Sequence, residues 1–211
     1  MPDAKTIALF FLSGLALLLI PGPVVLYTVA RSLHQGRQAG FVSVLSAGTG
    51  DMVHVMAATV GLSAILLTSS LAFNIVKYAG AVYLIYLGIR TLTSHHEPLN
   101  IAVQPMKLSR IYSQGLLVSV LNPKTALFFL AFLPQFVDPT RGSIAAQTLL
   151  LGTMFVVTGL VTNSGYALLA SYTANWLRGN RQFAITQRYV AGVVYIGLGL
   201  TAALAGGERS R

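Results

Sequence analysis

Apolar residues in this chain do not alternate with polar ones. They run in long blocks, and two of the blocks are broken by proline near their middles. The first break, Pro21-Gly22-Pro23, follows the apolar run 15–20; the second, Asn122-Pro123-Lys124, lies between the runs 116–121 and 126–133. A membrane-crossing helix needs about 20 mostly apolar residues. Six stretches qualify: residues 5–30, 41–67, 71–93, 113–136, 144–170 and 189–207. Runs of Leu, Ala, Val and Gly suit helices in lipid better than barrel strands. The expected fold is therefore all-α and integral to the membrane, six transmembrane helices forming one domain over residues 1–211.

The two halves resemble each other at an offset of 111 residues. Lys77-Tyr78-Ala79 corresponds to Arg188-Tyr189-Val190, Val82 to Val193, Ile85 to Ile196, Gly88 to Gly199 and Gly48 to Gly159. With three spans per half, the second half enters the membrane from the opposite side. The expectation is an inverted repeat, with halves at about 1–93 and 113–207 and a cytoplasmic linker at about 94–112. Interrupted spans in matching positions of such halves point to a transporter's binding site.

Composition sharpens this picture. Only 9% of the 211 residues are charged, against roughly 25% in soluble domains, and the mean hydropathy is +0.70. The net charge of +9 would suggest nucleic acid in a soluble protein. Here the basic residues flank apolar spans, so membrane lipid is the expected surroundings and nucleic acid is not a partner. Cysteine is absent, which removes disulfides, thiol redox chemistry and thiolate metal sites. Residues 7–20 lack the basic lead-in and cleavage site of a signal peptide and read as the first span.

Lys and Arg in the connections set the orientation. Arg31, Arg37, Arg90, Lys107, Arg110, Arg178, Arg181 and Arg188 fall on one side, against Lys5, Arg141, Arg209 and Arg211 on the other. The positive-inside rule places the first group in the cytoplasm and both termini outside.

The breaks carry the candidate chemistry. Proline has no N–H and clashes with the preceding turn, so each break frees carbonyls before it and starts a new helix after it. Gly22 is expected as the cap of a helix beginning at Pro23, and Asn122 as the N-cap of one beginning at Pro123. Such helix starts favour an anionic group. Asp51 is the one acidic residue well inside a span, about 15 Å deep by helical rise, and an intramembrane carboxylate is functional by default. Lys124 is its expected partner. His54 shares a helical face with Asp51 and reads either as a proton relay or substrate contact, or as an interhelical hydrogen-bonding residue. Asn163, Thr49 and Thr162 are polar groups within spans that serve either as pocket lining or as interhelical bonds. Lys77 is shallow and expected to snorkel to the interface. His95-His96-Glu97 has adjacent residues that share no helical face, so no metal site and no cofactor are expected.

These motifs together resemble the LysE/RhtB superfamily of small bacterial amino-acid exporters. The resemblance covers nearly the whole chain. It rests on Ile20-Pro21-Gly22-Pro23, on Gly48-Thr49-Gly50-Asp51, on residues 78–89, and on Asn122-Pro123-Lys124-Thr125-Ala126-Leu127-Phe128-Phe129 extending to Pro134-Gln135-Phe136. It implies a multi-pass transporter of the bacterial cytoplasmic membrane, not an enzyme, that exports amino acids or close derivatives. Many members carry Asn after the Pro-Gly-Pro, where this chain has Val24, which implies a different or more apolar cargo. The expected substrate-binding or coupling residues are Pro21, Gly22, Pro23, Asp51, His54, Asn122, Pro123, Lys124 and Asn163. Inward proton movement is the expected driving force, and a homodimer is the assembly to test for. The rival class is a passive channel or an exporter of another small solute or cation.

Overall fold

The computed structural model describes residues 1–68 and 105–172, with isolated helical positions between 75 and 93 and between 189 and 200. Among the described residues the architecture is helical throughout, with no strand. Helix α1 spans Ala4–Leu18 and α2 spans Pro23–Thr68; α3 spans Leu108–Val120, α4 Pro123–Leu127 and α5 Ile144–Tyr172. A π-helical turn, Phe128–Phe132, and a 3-10 turn, Leu133–Phe136, continue α4. Two of these helices are long and apolar enough to cross a membrane, Pro23–Gly61 and Ile144–Ser171; Leu108–Val120 with Pro123–Phe136 makes a third if the pair, bent by 40°, is one span.

Helix α2 is a hairpin. Gly36 has φ 78° and ψ −173°, a backbone conformation in which a Cβ would be strained. Residues 32 and 40 would lie about 12 Å apart in a straight helix. Here a Cβ built on Gly40 would come 2.1 Å from Ser32 Oγ, so the chain reverses at Gly36. The first expected span, 5–30, covers α1, the break and part of the first limb, and the second, 41–67, falls on the second limb. Both limbs run farther toward Gly36 than hydropathy suggested, because Arg31, Gln35, Arg37 and Gln38 are polar but helical. Likewise α3 starts at Leu108 rather than at 113, so the end of the expected linker is helix; its residues 94–104 lie outside the described residues. So do Lys77, His95-His96-Glu97 and most of the third and sixth expected spans.

Small residues bring the helices together. A Cβ on Gly50 of α2 would sit 2.4 Å from Ser119 Cβ of α3 and 3.2 Å from the Val120 nitrogen, and one on Gly152 of α5 would sit 2.7 Å from a Val55 methyl. The Gly50 contact is with a short side chain and backbone, neither of which can yield. Gly50→Ala is expected to destabilise the protein by about 1–3 kcal/mol, the range for overpacking. Unfolding in detergent micelles measures it; an unchanged midpoint would mean that α2 and α3 are not in contact there.

An aromatic core fixes the π-helical turn. Phe128 stacks on Phe155 of α5 at 4.6 Å between centroids and lies 5.6 Å from Phe10 of α1. Phe129 meets Phe155 edge-on at 5.3 Å. Offset and edge-to-face pairs at such separations add stabilisation beyond their buried area.

The two ends of the bundle carry different polar clusters. At one end, Arg141 pairs with Asp3 at 2.5 Å and with Asp138 at 3.3 Å, and the N-terminal ammonium donates to the Arg141 carbonyl. At the other, Gln35 Nε2 donates to the Met106 carbonyl at 2.8 Å, and buried Arg31 donates to Gln114 Oε1 at 3.3 Å and lies over the Tyr27 ring. Arg31, counted among the connection cations, is thus helical, at the Gly36 end of its limb.

The Thr6 N–H donated to Asp3, then the Arg141 side chain, hold the Asp3 carboxyl well below its ordinary value of 3.8. A depressed folded value stabilises the fold fully above the unfolded value, and that contribution is lost as pH falls through the folded one. The difference in melting temperature between the parent and Asp3→Asn should therefore stay constant from neutral pH down to about 5 and shrink only in strong acid. A difference that vanishes near neutrality would show that the Asp3 contacts do not form.

Candidate functional site

Each proline break creates carbonyls that lack their usual partners. In the first, α1 ends at Leu18, and the Leu19 and Ile20 N–H groups close on Leu15 and Leu17 at 2.9 and 3.1 Å. Pro23 opens α2, with the Gly22 carbonyl accepting from Leu26 N at 2.9 Å. The residue four beyond Leu19 is Pro23, which has no N–H to give. Tyr166 of α5 supplies the donor instead, its hydroxyl 2.7 Å from the Leu19 carbonyl. Lys124 Nζ donates to the next carbonyl, Ile20, at 2.6 Å.

The second break follows the same logic. Asn122 is the N-cap of α4, its Oδ1 accepting from Lys124 N at 3.2 Å, while its Nδ2 donates to Thr125 Oγ1 at 2.9 Å. Pro123, four beyond Ser119, cannot complete the turn. The Ser119 carbonyl accepts from Asn122 N at 3.0 Å and lies 3.2 Å from His54 Nε2. His54 is therefore an interhelical hydrogen-bonding residue in this conformation, its ring stacked on Phe129 at 6.2 Å. That bond requires the proton on Nε2.

Ser119 also ties the break to Asp51. Its hydroxyl lies 3.1 Å from both Asp51 Oδ1 and the Ala47 carbonyl. On the far side, the Cα of Gly159 on α5 faces the carboxylate, and a Cβ there would lie 3.6 Å from Oδ2. Asp51 is 4% and Lys124 7% exposed. No direct ion pair within 4.0 Å joins them, because the Lys124 ammonium is directed to the Ile20 carbonyl. The expected partnership is one of nearby charges, not of contact. Gly22 makes room for this arrangement: a Cβ there would come 3.3 Å from Lys124 Cδ.

The structure thus gathers Pro21, Gly22 and Pro23 with Lys124, and Asn122 and Pro123 with Ser119, His54 and Asp51. Asn163 lies one turn beyond Gly159, donating to the Gly159 carbonyl at 2.9 Å. Thr49 bonds to Tyr112, and Thr162 bonds back to its own helix. Ser119 and Tyr166 were missed by sequence reasoning. Ser119 could have been found by counting four residues back from Pro123. Tyr166 gives no such signal, since its partner is 147 residues away. Among the described residues no three His, Asp or Glu side chains gather into a metal-binding group.

A chain with two proline-broken helices, a buried carboxylate and a buried ammonium has the parts of a transporter. Residues 15–206 match the family described as LysE type translocator. The chain belongs to that family.

This translocator is 34% identical over 174 residues to the homoserine/homoserine lactone efflux protein of Salmonella typhimurium, covering 82% of this chain and 84% of the relative. It is 27% identical over 192 residues to the leucine efflux protein of Salmonella choleraesuis, covering 89% and 90%. It also resembles an uncharacterized membrane protein of Bacillus subtilis, 26% identical over 199 residues, covering 90% and 94%. No solved structure matches the translocator. It is a membrane transporter and not an enzyme.

Proposed function

We propose that this translocator exports amino acids or close derivatives across the bacterial cytoplasmic membrane, working as a six-span inverted repeat with alternating access and driven by inward proton movement. The relatives' names supply the substrate class, with homoserine and leucine as first candidates. The observation that carries the site assignment is the pair of buried charges at the two breaks. Lys124 donates to the Ile20 carbonyl and Asp51 accepts from Ser119. A substrate carboxylate would take the Lys124 ammonium from the Ile20 carbonyl, beside the helix start at Pro23. Asp51 would take either the substrate's ammonium or the exchanged proton. Pro21, Gly22, Asn122 and Pro123 shape the site, and His54 and Asn163 border it. Binding one state differently with proton and with substrate is enough to couple the two flows.

The export screen is direct. Cells expressing the protein are fed dipeptides, and the free amino acids appearing outside are measured against cells without it. Accelerated release of homoserine, leucine or a similar amino acid supports the reading. Flux that rises linearly with concentration, without counterflow of labelled amino acid, would assign a passive channel instead.

A further inference from the structure

Hydroxyl groups inside these helices mostly bond back to the carbonyl four residues earlier. Ser43, Thr59, Thr148 and Thr158 do so at 2.7 to 2.9 Å. Thr28 and Ser32 do not. Both residues are fully enclosed, at 0% and 2% exposure, and neither hydroxyl oxygen has a hydrogen-bond partner. Asn163 is 4% exposed, and its Oδ1 is equally unpartnered while its Nδ2 is held by Gly159. An unmet buried polar atom costs roughly 1–3 kcal/mol, so three in one region call for a reason.

Their placement supplies one. Thr28 and Ser32 are four apart, on one face of the first limb of α2. Gly159, Asn163 and Ala167 are likewise spaced by four, on one face of α5. The upper end of the α5 face, Gly159, abuts the Asp51 carboxylate. The lower end abuts the other face, since a Cβ on Gly40 would meet both Ser32 Oγ at 2.1 Å and Ala167 Cβ at 3.2 Å. Asn163 therefore lies between Gly159 and Ala167 on one helix and Thr28 one turn from Ser32 on the other, so the three residues fall between Asp51 and the Gly36 end of the bundle. The charged and titratable groups around them are Asp51 and His54 on the second limb of α2, Lys124 on α4, Tyr166 on α5, and Tyr27 and Arg31 on the first limb.

We propose that Asn163, Thr28 and Ser32 line a narrow hydrated seam that conducts the coupling proton from Asp51 to the Gly36 end of the bundle. This rests on the proton-coupled export reading and adds a route to it. A hydroxyl accepts one hydrogen bond and donates another, whereas a carboxamide oxygen accepts from water. When the Asp51 O–H bond breaks, its proton joins the nearest water. Waters along the seam and the Thr28 and Ser32 hydroxyls each take one proton and pass another on, while Asn163 Oδ1 only accepts from a water and orients it. The net change is one proton delivered at the Gly36 end and a carboxylate left at Asp51.

The test uses the full chain in proteoliposomes containing a pH-sensitive dye, with labelled leucine and labelled homoserine assayed in parallel. Exchange of labelled for unlabelled amino acid moves no net proton, whereas gradient-driven transport does. In Thr28→Val/Ser32→Ala, exchange should stay within about twofold, while proton influx and gradient-driven transport fall by about 100-fold, as for loss of a positioned proton-transfer group. Thr28→Ser, which keeps the hydroxyl, should retain coupling, and so separates proton transfer from packing. Equal loss of exchange and coupling in the double variant would overturn the seam, as would full coupling. A parent protein that exchanges neither amino acid would overturn the export reading itself.

Discussion

Asp51→Asn is expected to abolish pH-gradient-driven efflux from proteoliposomes while leaving a folded protein. The carboxamide has nearly the same shape as the carboxylate, so Ser119 still finds an acceptor where it now meets Oδ1 at 3.1 Å. What is lost is a group able to take up and release a proton. Desolvating a carboxylate at 4% exposure is costly, and replacing it with a neutral group relieves that cost. That relief is offset by the loss of the counter-charge near buried Lys124, so stability should change little. Coupled efflux should drop by about 100-fold or more, the scale associated with a positioned acid–base group. Normal coupled efflux by this variant would remove Asp51 from the mechanism.

Lys124→Met should cost both stability and transport. The ammonium is the donor to the Ile20 carbonyl at 2.6 Å, in a region where Ile20 itself is 3% exposed. Methionine fills much of the same volume but gives that carbonyl nothing. Leaving it unmet should cost about 1–3 kcal/mol, read as a lower unfolding midpoint in detergent. Transport should fall further than this instability explains, since the substrate carboxylate loses its counter-charge. Lys124→Met that exports at the parent rate would place the anion site elsewhere.

The breaks themselves were legible because their causes are local. Proline removes a donor wherever it sits, and asparagine before proline caps a helix with its own side chain, so the starts at Pro23 and Pro123 follow from a few residues. What meets the freed carbonyls was not legible. Tyr166 and Lys124 reach residues more than a hundred positions away, which only the packing of α1, α4 and α5 decides. The pairing of Asp51 with Lys124 was inferred from charge and depth, and the two are nearby charges while the ammonium bonds to the Ile20 carbonyl. Helix ends were misjudged where polar residues continue a helix, as at Arg31 and Arg110. The π-helical turn leaves no trace in composition, because Phe128 and Phe129 read as ordinary apolar helix until Phe155 and Phe10 are known to face them.

The reversal at Gly36 has a mechanical meaning. Two limbs joined through one residue have no spare chain between them, so neither can slide along the other by a helical turn without unwinding. They can only pivot about that joint or travel together as one lever. Any motion that exposes Asp51 alternately to the two sides must then be a swing and not a piston stroke. Its far pivot would fall at Pro21-Gly22, where the Leu19 and Ile20 carbonyls are held by Tyr166 and Lys124 and not by the next helical turn.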